Sequence, residues 1–412
     1  MKSYTPPPDK SITLRALLLG AIAAGRTVVS NPLSCADTAA AVRCLRALGV
    51  KLLVSKNKII VEGRGHYGLL RPGGPLQAGE AGAVARLLAG ILAGQSWPSK
   101  INGSGSLLRR PMARVAAPLA LMSARVTTRA GKLPLEIRPA ALKGIRYTLP
   151  VASAQVKSAI LLAGLYASGE TVIKEPVPSR DHTERLLGHF GARIARRGKT
   201  ITLIPGPLKS ARLAVPGDIS AAAPFIAAAL LSGRGLLIKD VGLNPSRLGF
   251  LRTLKKMGAS FRITQGRAAP EPAGDILVYP GKLRGAAVGA SGIPAMIDEL
   301  PLLAVLAAAA RGRTIIRGAG ELRHKESDRI RSTLALLAAL GADAKYRKGA
   351  LEIQGTCLFR GGAFEPAGDH RLAMAAAAAG ICAAAPLRIK GRGCVRKSYP
   401  AFFADFKKTF LC

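Results

Sequence analysis

Six times along the chain an apolar run rich in alanine and leucine follows a short polar cluster, and five of the runs close on a glycine before a β-branched segment, at Gly25, Gly94, Gly169, Gly233 and Gly312. A sixth run, 372–385, lacks the closing glycine. The runs recur about every 70 residues, and self-similarity at a fixed period constrains the fold more than any single segment does. Runs such as 16–24 and 300–310 are apolar on nearly every face, so their helices must be covered on all sides. Strand-like triplets follow, Thr27-Val28-Val29, Thr171-Val172-Ile173, Leu236-Leu237-Ile238, Thr314-Ile315-Ile316 and Leu387-Arg388-Ile389. A second, more amphipathic helix is predicted in most repeats, ending at Gly49, Gly191, Gly258 or Gly341. A further strand, for example 51–54 or 192–195, completes the repeat. Each repeat thus reads strand, buried helix, strand, second helix, strand. The fold class is α/β, with two similar lobes of three βαβαβ-type repeats, buried helices inside and sheets outside. Two lobes of roughly 200 residues also suit a chain too long for one ordinary core.

The clusters that precede the runs are Lys10-Ser11, Gly79-Glu80, Ser153-Ala154-Gln155, Asp218-Ile219-Ser220, Asp298-Glu299 and Asp369-His370-Arg371. Each lies at a helix N-terminus, where free N–H groups and the helix dipole favour anions. Brought together, such ends would hold something heavily negative.

Composition narrows the class. The longest apolar stretch, 372–387, contains Pro386, is shorter than the roughly 18 to 20 residues of a membrane span, and reads as a buried helix. The segment 1–8 carries three prolines and no apolar core of a signal peptide, so a cytoplasmic protein without membrane association is expected. Six cysteines, Cys35, Cys44, Cys357, Cys382, Cys394 and Cys412, show no metal-binding or disulfide spacing; reduced thiols and no metal are expected. The formal charge of +38 would attract polyanions non-specifically, yet aromatic residues make up 4% of the chain, too few for stacking platforms that bind single strands. No specific nucleic-acid partner is expected.

The first cluster extends to Pro8-Asp9-Lys10-Ser11-Ile12-Thr13-Leu14-Arg15, which sets a lysine, a hydroxyl and, one turn later, an arginine on one helix start. In order along the chain follow Ser153-Ala154-Gln155-Val156-Lys157-Ser158, Pro178-Ser179-Arg180-Asp181-His182-Thr183-Glu184, Ile297-Asp298-Glu299-Leu300-Pro301, His324-Lys325-Glu326-Ser327-Asp328-Arg329 and Gly368-Asp369-His370-Arg371. This ordered set resembles the 3-phosphoshikimate 1-carboxyvinyltransferase (EPSP synthase) family over essentially the whole length. The resemblance implies an inverse α/β barrel in each lobe, with 1–11 joining 217–412 in one lobe, 12–216 forming the other, and the active site in the cleft between. It also implies transfer of the enolpyruvyl group of phosphoenolpyruvate to the 5-hydroxyl of 3-phosphoshikimate with release of phosphate, by a monomer, without a cofactor.

Carried over motif by motif, Lys10, Ser11, Arg15, Ser153, Gln155 and Ser179 correspond to groups that bind 3-phosphoshikimate, and Asp298 and Lys325 to those gripping the reacting hydroxyl. Lys10, Gly82, Arg110, Arg329, Arg371 and Lys397 correspond to phosphoenolpyruvate ligands. Arg110 is chosen over Arg109 because it directly precedes Pro111-Met112, and Arg396 stands beside Lys397 as an alternative. Asp298, Glu326, Lys10 and Lys325 are the implied proton-transfer groups, Asp298 as base and Glu326 as acid. Read without the resemblance, Asp298 and Asp369 also suit helix N-caps, Glu326 and Arg329 a surface ion pair, and His370 a packing residue. Besides His324, which stands where an apolar residue is common, two stretches depart from the family pattern. Glu80 stands where an asparagine is usual and no hydroxyl follows it, and Ser104-Gly105 replaces an acidic residue before Ser106-Leu107; Glu80 is expected to pair with Arg86 or a lysine. The Asp218-Ile219-Ser220 cluster carries no implied ligand and is expected to serve lobe closure. Two other functions stay open: the sister transfer to UDP-N-acetylglucosamine, disfavoured because no cysteine lies between Cys44 and Cys357, and a weakened homologue that binds polyanions.

Overall fold

The computed structural model describes residues 1–355 and 358–411; Cys357 and Cys412, two of the expected thiols, lie outside them. Six buried helices, Lys10–Ile22, Gly82–Ala93, Ala154–Gly164, Ile219–Ser232, Leu300–Ala309 and His370–Ala379, alternate along the chain with six outer ones, Ala36–Ala47, Ala113–Leu121, His182–His189, Gly249–Lys256, Arg329–Ala339 and Phe402–Phe410. The buried set has no polar face: Leu17, Leu18 and Leu19 are consecutive and all at most 1% exposed. Burying each such leucine is worth roughly 1.5 to 3 kcal/mol, so neighbouring helices and sheets must cover every side. The outer helices are two-faced. In Gly249–Lys256, Phe250, Leu251 and Leu254 point inward while Arg252, Lys255 and Lys256 face water.

Two units divide the chain, Pro8–Val215, and Met1–Pro7 with Pro216–Cys412. The first boundary lies between Pro7 and Pro8 and not after position 11. Asp9 caps the first helix by accepting the Ile12 amide at 2.9 Å, so Lys10 and Ser11 open a helix of the Pro8–Val215 unit instead of joining the other lobe.

One strand pattern recurs in both units. In the second repeat Leu76–Gln77 pairs in parallel with Ser99–Asn102, which pairs antiparallel with Lys132–Arg138, itself antiparallel to Arg125–Arg129. The third repeat copies it with Arg146–Thr148, Thr171–Lys174, Thr200–Leu203 and Ile194–Arg197. In the first repeat the place of the leading strand is taken by Leu208–Lys209 and Arg212–Ala214, from the far end of the unit, against Ala23–Ser30. The ring of three repeats is thereby closed on itself. In the Pro216–Cys412 unit, Lys2–Tyr4 leads the fourth repeat by pairing with Leu236–Gly242, with Tyr4 stacked on Phe225 at 3.7 Å. Ala287–Val288 leads the fifth repeat and Gly362–Phe364 the sixth. The first five repeats are therefore one strand longer than expected, because a hairpin and not a single strand follows the second helix; the described sheet of the sixth has two strands, Gly362–Phe364 and Leu387–Ile389.

Two expected boundaries move. The strand expected at 192–195 is Ile194–Arg197, and the sixth run ends its helix at Ala379 with Gly380 as C-cap. That run has its glycine after all; the apolar residues beyond it are turn, not helix. Left-handed glycines follow the outer helices as predicted, at Gly49, Gly191, Gly258 and Gly341, a conformation that costs glycine no Cβ clash.

Candidate active site

In the Pro8–Val215 unit Lys10, Ser11, Arg15, Gly82, Ser153 and Gln155 collect at the N-terminal ends of the buried helices, while Arg110 follows the short helix Gly105–Arg109 and Ser179 precedes the outer helix His182–His189. Lys10 Nζ lies 2.8 Å from Asp37 Oδ2. Arg15, 5% exposed, donates from Nε to Thr183 Oγ1 at 2.7 Å, from Nη2 to Ser158 Oγ at 3.2 Å and from Nη1 to the Ser11 carbonyl at 3.0 Å. Ser153 caps its helix, its Oγ accepting the Val156 amide at 3.5 Å. Gln155 Oε1 accepts from Arg86 Nη1 at 2.6 Å, and Arg86 Nη2 donates to the Pro111 carbonyl at 2.9 Å.

Gly82 opens its helix beneath two guanidiniums. A Cβ there would fall 2.7 Å from Arg110 Nη1 and 2.9 Å from Arg86 Nη1, so only glycine lets both approach the helix end. Arg110 is buried and Arg109 exposed, which separates the adjacent pair. Arg86, one turn after Gly82 on the same helix, brings its guanidinium to the same helix end, which motif matching passed over; its position four residues on was the available signal. Thr183, Ser158 and Asp37 are further additions, each a partner of an expected ligand.

Ser179 is held differently from the others. Its amide and its hydroxyl both donate to Glu175 Oε1, the amide at 3.0 Å, while Glu175 Oε2 accepts from Lys157 at 3.1 Å and from Arg196 at 3.0 Å. The hydroxyl proton of Ser179 is thus committed to a buried carboxylate. Lys157, fully buried, also pairs with Glu184 at 2.7 Å.

The two departures from the family pattern meet in space. Glu80 accepts the Ser106 amide at 3.1 Å and the Ser106 hydroxyl at 2.6 Å through Oε2. An acidic group missing from 104–105 is supplied across the turn from position 80. The turn at Gly105–Arg109 binds Glu80 because the first N–H groups of such a turn have no partner within it.

In the Pro216–Cys412 unit one guanidinium organises the acids. Arg329, 1% exposed, donates from Nε to Asp369 Oδ2 at 2.7 Å, from Nη1 to Asp298 Oδ1 at 3.0 Å, and from Nη2 to Glu326 Oε2 at 2.8 Å and Asp369 Oδ1 at 3.4 Å. Burial by itself would lower the pKa of this guanidinium, but Asp369, Glu326 and Asp298 outweigh it and push the pKa further above its ordinary value. Asp298 is therefore no N-cap, a place held by Glu299. Asp369 does cap its helix through the Arg371 amide at 2.9 Å. Glu326 and Arg329 do pair, but in the interior. His370 is buried at the same helix start. Arg371 donates to the Ser220 carbonyl at 3.0 Å, and its Nη2 lies 4.0 Å from Asp298 Oδ2. Lys325 follows the short helix Ala319–His324, and Lys397 ends Arg392–Lys397, half-buried beside an exposed Arg396.

The described thiols are poor nucleophiles at neutral pH, since burial pushes Cys44, Cys382 and Cys394 up to about 11. Among the described residues no group of three or more His, Cys, Asp or Glu is placed to hold a metal ion.

The family model described as EPSP synthase (3-phosphoshikimate 1-carboxyvinyltransferase) matches residues 2–406. A 3-phosphoshikimate 1-carboxyvinyltransferase of Desulforudis audaxviator is 47% identical over 96% of this chain and 94% of its own length. Another, from Geobacillus kaustophilus, is 45% identical over 97% and 96%. The solved EPSP synthase of Acinetobacter baumannii superposes with a TM-score of 0.88 at 39% identity, covering 99% of this chain and 95% of that one. With helix N-termini rich in basic groups in both units and matches of this extent, the chain belongs to the EPSP synthase family.

Proposed function

We propose that this protein transfers the carboxyvinyl group of phosphoenolpyruvate to the 5-hydroxyl of 3-phosphoshikimate and releases phosphate. The observation that carries the reading is the pair of carboxylates, Asp298 and Glu326, held on one buried guanidinium. In the addition step the hydroxyl oxygen bonds to the central carbon of the enol while that hydroxyl loses its proton and the methylene carbon gains one. In elimination the new methyl group gives a proton back and the carbon–oxygen bond to phosphate breaks. Two proton transfers at neighbouring atoms call for two positioned acid–base groups, here Asp298 at the hydroxyl and Glu326 at the methylene, with Lys325 and Lys10 as the further proton-transfer groups.

The remaining groups offset charge. Two multiply anionic substrates repel each other, and lysines, arginines and helix N-termini compensate. Ser11, Arg15, Ser153, Gln155 and Ser179 bind 3-phosphoshikimate in this reading, and Gly82, Arg110, Arg329, Arg371 and Lys397 bind phosphoenolpyruvate. Arg15 is preoriented by Thr183 and Ser158, which limits the ordering cost on binding. Ser179 must turn its hydroxyl from Glu175 to donate to a phosphate. The same reading takes the enzyme to be a cytoplasmic monomer with no specific nucleic-acid partner; no described helix is long and apolar enough to cross a membrane.

The test is phosphate release from phosphoenolpyruvate in moderate salt. Release that requires 3-phosphoshikimate is expected, and its absence at millimolar substrates refutes the reading.

A further inference from the structure

The Asp218-Ile219-Ser220 cluster, which carries no ligand in the proposed reaction, forms a buried junction between three helix starts. Asp218 caps Ile219–Ser232 by accepting the Ser220 amide at 2.8 Å. Arg247, 2% exposed, donates from Nη2 to Asp218 Oδ1 at 3.2 Å and to Ser220 Oγ at 2.7 Å. The Ser220 hydroxyl in turn donates to Glu299 Oε1, on the residue after Asp298. The Ser220 carbonyl accepts Nη1 of Arg371 at 3.0 Å.

A carbonyl inside an α-helix is normally taken by the N–H four residues on. Four residues after Ser220 stands Pro224, buried within the helix, and proline has no N–H. The Ser220 carbonyl is consequently left out of the helical ladder. Arg371 uses it, while Arg371 Nε stays buried with no hydrogen-bond partner among the described residues, and a buried donor of that kind favours an added acceptor.

We propose that Pro224 is a positioning residue for Arg371: by withholding an N–H it reserves the Ser220 carbonyl as a fixed acceptor, and Arg247 and Glu299 clamp Ser220 so that the guanidinium is preoriented for the phosphoenolpyruvate anion. This rests on the reading of Arg371 as a phosphoenolpyruvate ligand. The proline trades local helix stability for geometry at the site, which separates it from an ordinary structural residue.

The experiment is Pro224→Ala, with steady-state kinetics for both substrates and thermal unfolding. Alanine restores the N–H that competes for Ser220 and removes the helix-breaking ring. The expected result is a KM for phosphoenolpyruvate raised by about tenfold, the scale of one weakened charged hydrogen bond, a KM for 3-phosphoshikimate within about twofold, and a Tm no lower than wild type. Arg247→Gln should raise the same KM, with Arg247→Lys recovering most of it. An unchanged KM for phosphoenolpyruvate in Pro224→Ala overturns the proposal. Arg371→Lys tells the two failures apart: if it raises that KM while Pro224→Ala does not, positioning alone is wrong; if neither does, Arg371 is not a ligand and both fall.

Discussion

Replacing Gly82 by alanine probes the anion site with the smallest possible change. The new Cβ meets Arg110 Nη1 at 2.7 Å and Arg86 Nη1 at 2.9 Å, where ordinary contact begins near 3.4 Å. Both groups are ends of long side chains, so they retreat and the fold survives. A guanidinium–phosphate bond of about 2.8 Å then stretches toward about 3.4 Å, past the useful range. Each charged hydrogen bond contributes about 1.5 to 3 kcal/mol; weakening two without abolishing either costs about 2 kcal/mol, or near thirtyfold in the KM for phosphoenolpyruvate. Steady-state kinetics should show that rise with kcat changed less, the KM for 3-phosphoshikimate within about threefold, and Tm held, because the loss is one of ground-state binding. An unchanged phosphoenolpyruvate KM, or a parallel rise for both substrates, would refute the placement of Arg110 and Arg86 over that helix end.

Lys157→Met removes the fully buried partner of Glu175 and Glu184 and leaves both carboxylates paired with Arg196, so urea unfolding should report a loss of about 3 to 5 kcal/mol. Asp298→Asn keeps an acceptor for Arg329 but removes the base; kcat should drop by about 10² to 10⁴, with phosphoenolpyruvate affinity by titration near wild type. Glu80→Ala and Ser106→Ala should couple by about 1 kcal/mol in a double-mutant cycle on unfolding, and independent effects would show that the two sequence departures do not compensate. Buried Cys44 and half-buried Cys382 and Cys394, whose thiol pKa desolvation raises to about 11, resist ionisation in the fold. Their contribution is complete below the unfolded thiol pKa near 8.5 and is lost as pH rises toward 11, so stability measured by denaturant should decline across that window.

The repeat made the fold legible because helices buried on all faces leave an uninterrupted apolar record, and Leu17-Leu18-Leu19 lies in a run long enough to be helix and not strand. What composition could not mark was where apolar residues stop being helix. Residues 381–385 are as apolar as the helix before them, and only the Gly380 cap separates the two. The leading strand of the first repeat comes from 208–214, a pairing between ends of a unit that no local pattern encodes. At the site, residue types were legible and their commitments were not. Motif position marks Arg329 as an anion ligand, yet its donors meet three carboxylates brought from 298, 326 and 369. Pro224 was visible throughout, but its meaning depended on which side chain reaches the Ser220 carbonyl.

The proposed reaction adds a proton to the methylene carbon of phosphoenolpyruvate and then removes one. Running the reaction in deuterated water with 3-phosphoshikimate present tests this most directly, by following deuterium at the methylene carbon of recovered phosphoenolpyruvate and of the product. Addition followed by elimination predicts deuterium at that carbon, dependent on 3-phosphoshikimate and strongly reduced in Glu326→Gln. Phosphate release at the wild-type rate with no deuterium at that carbon would exclude addition followed by elimination.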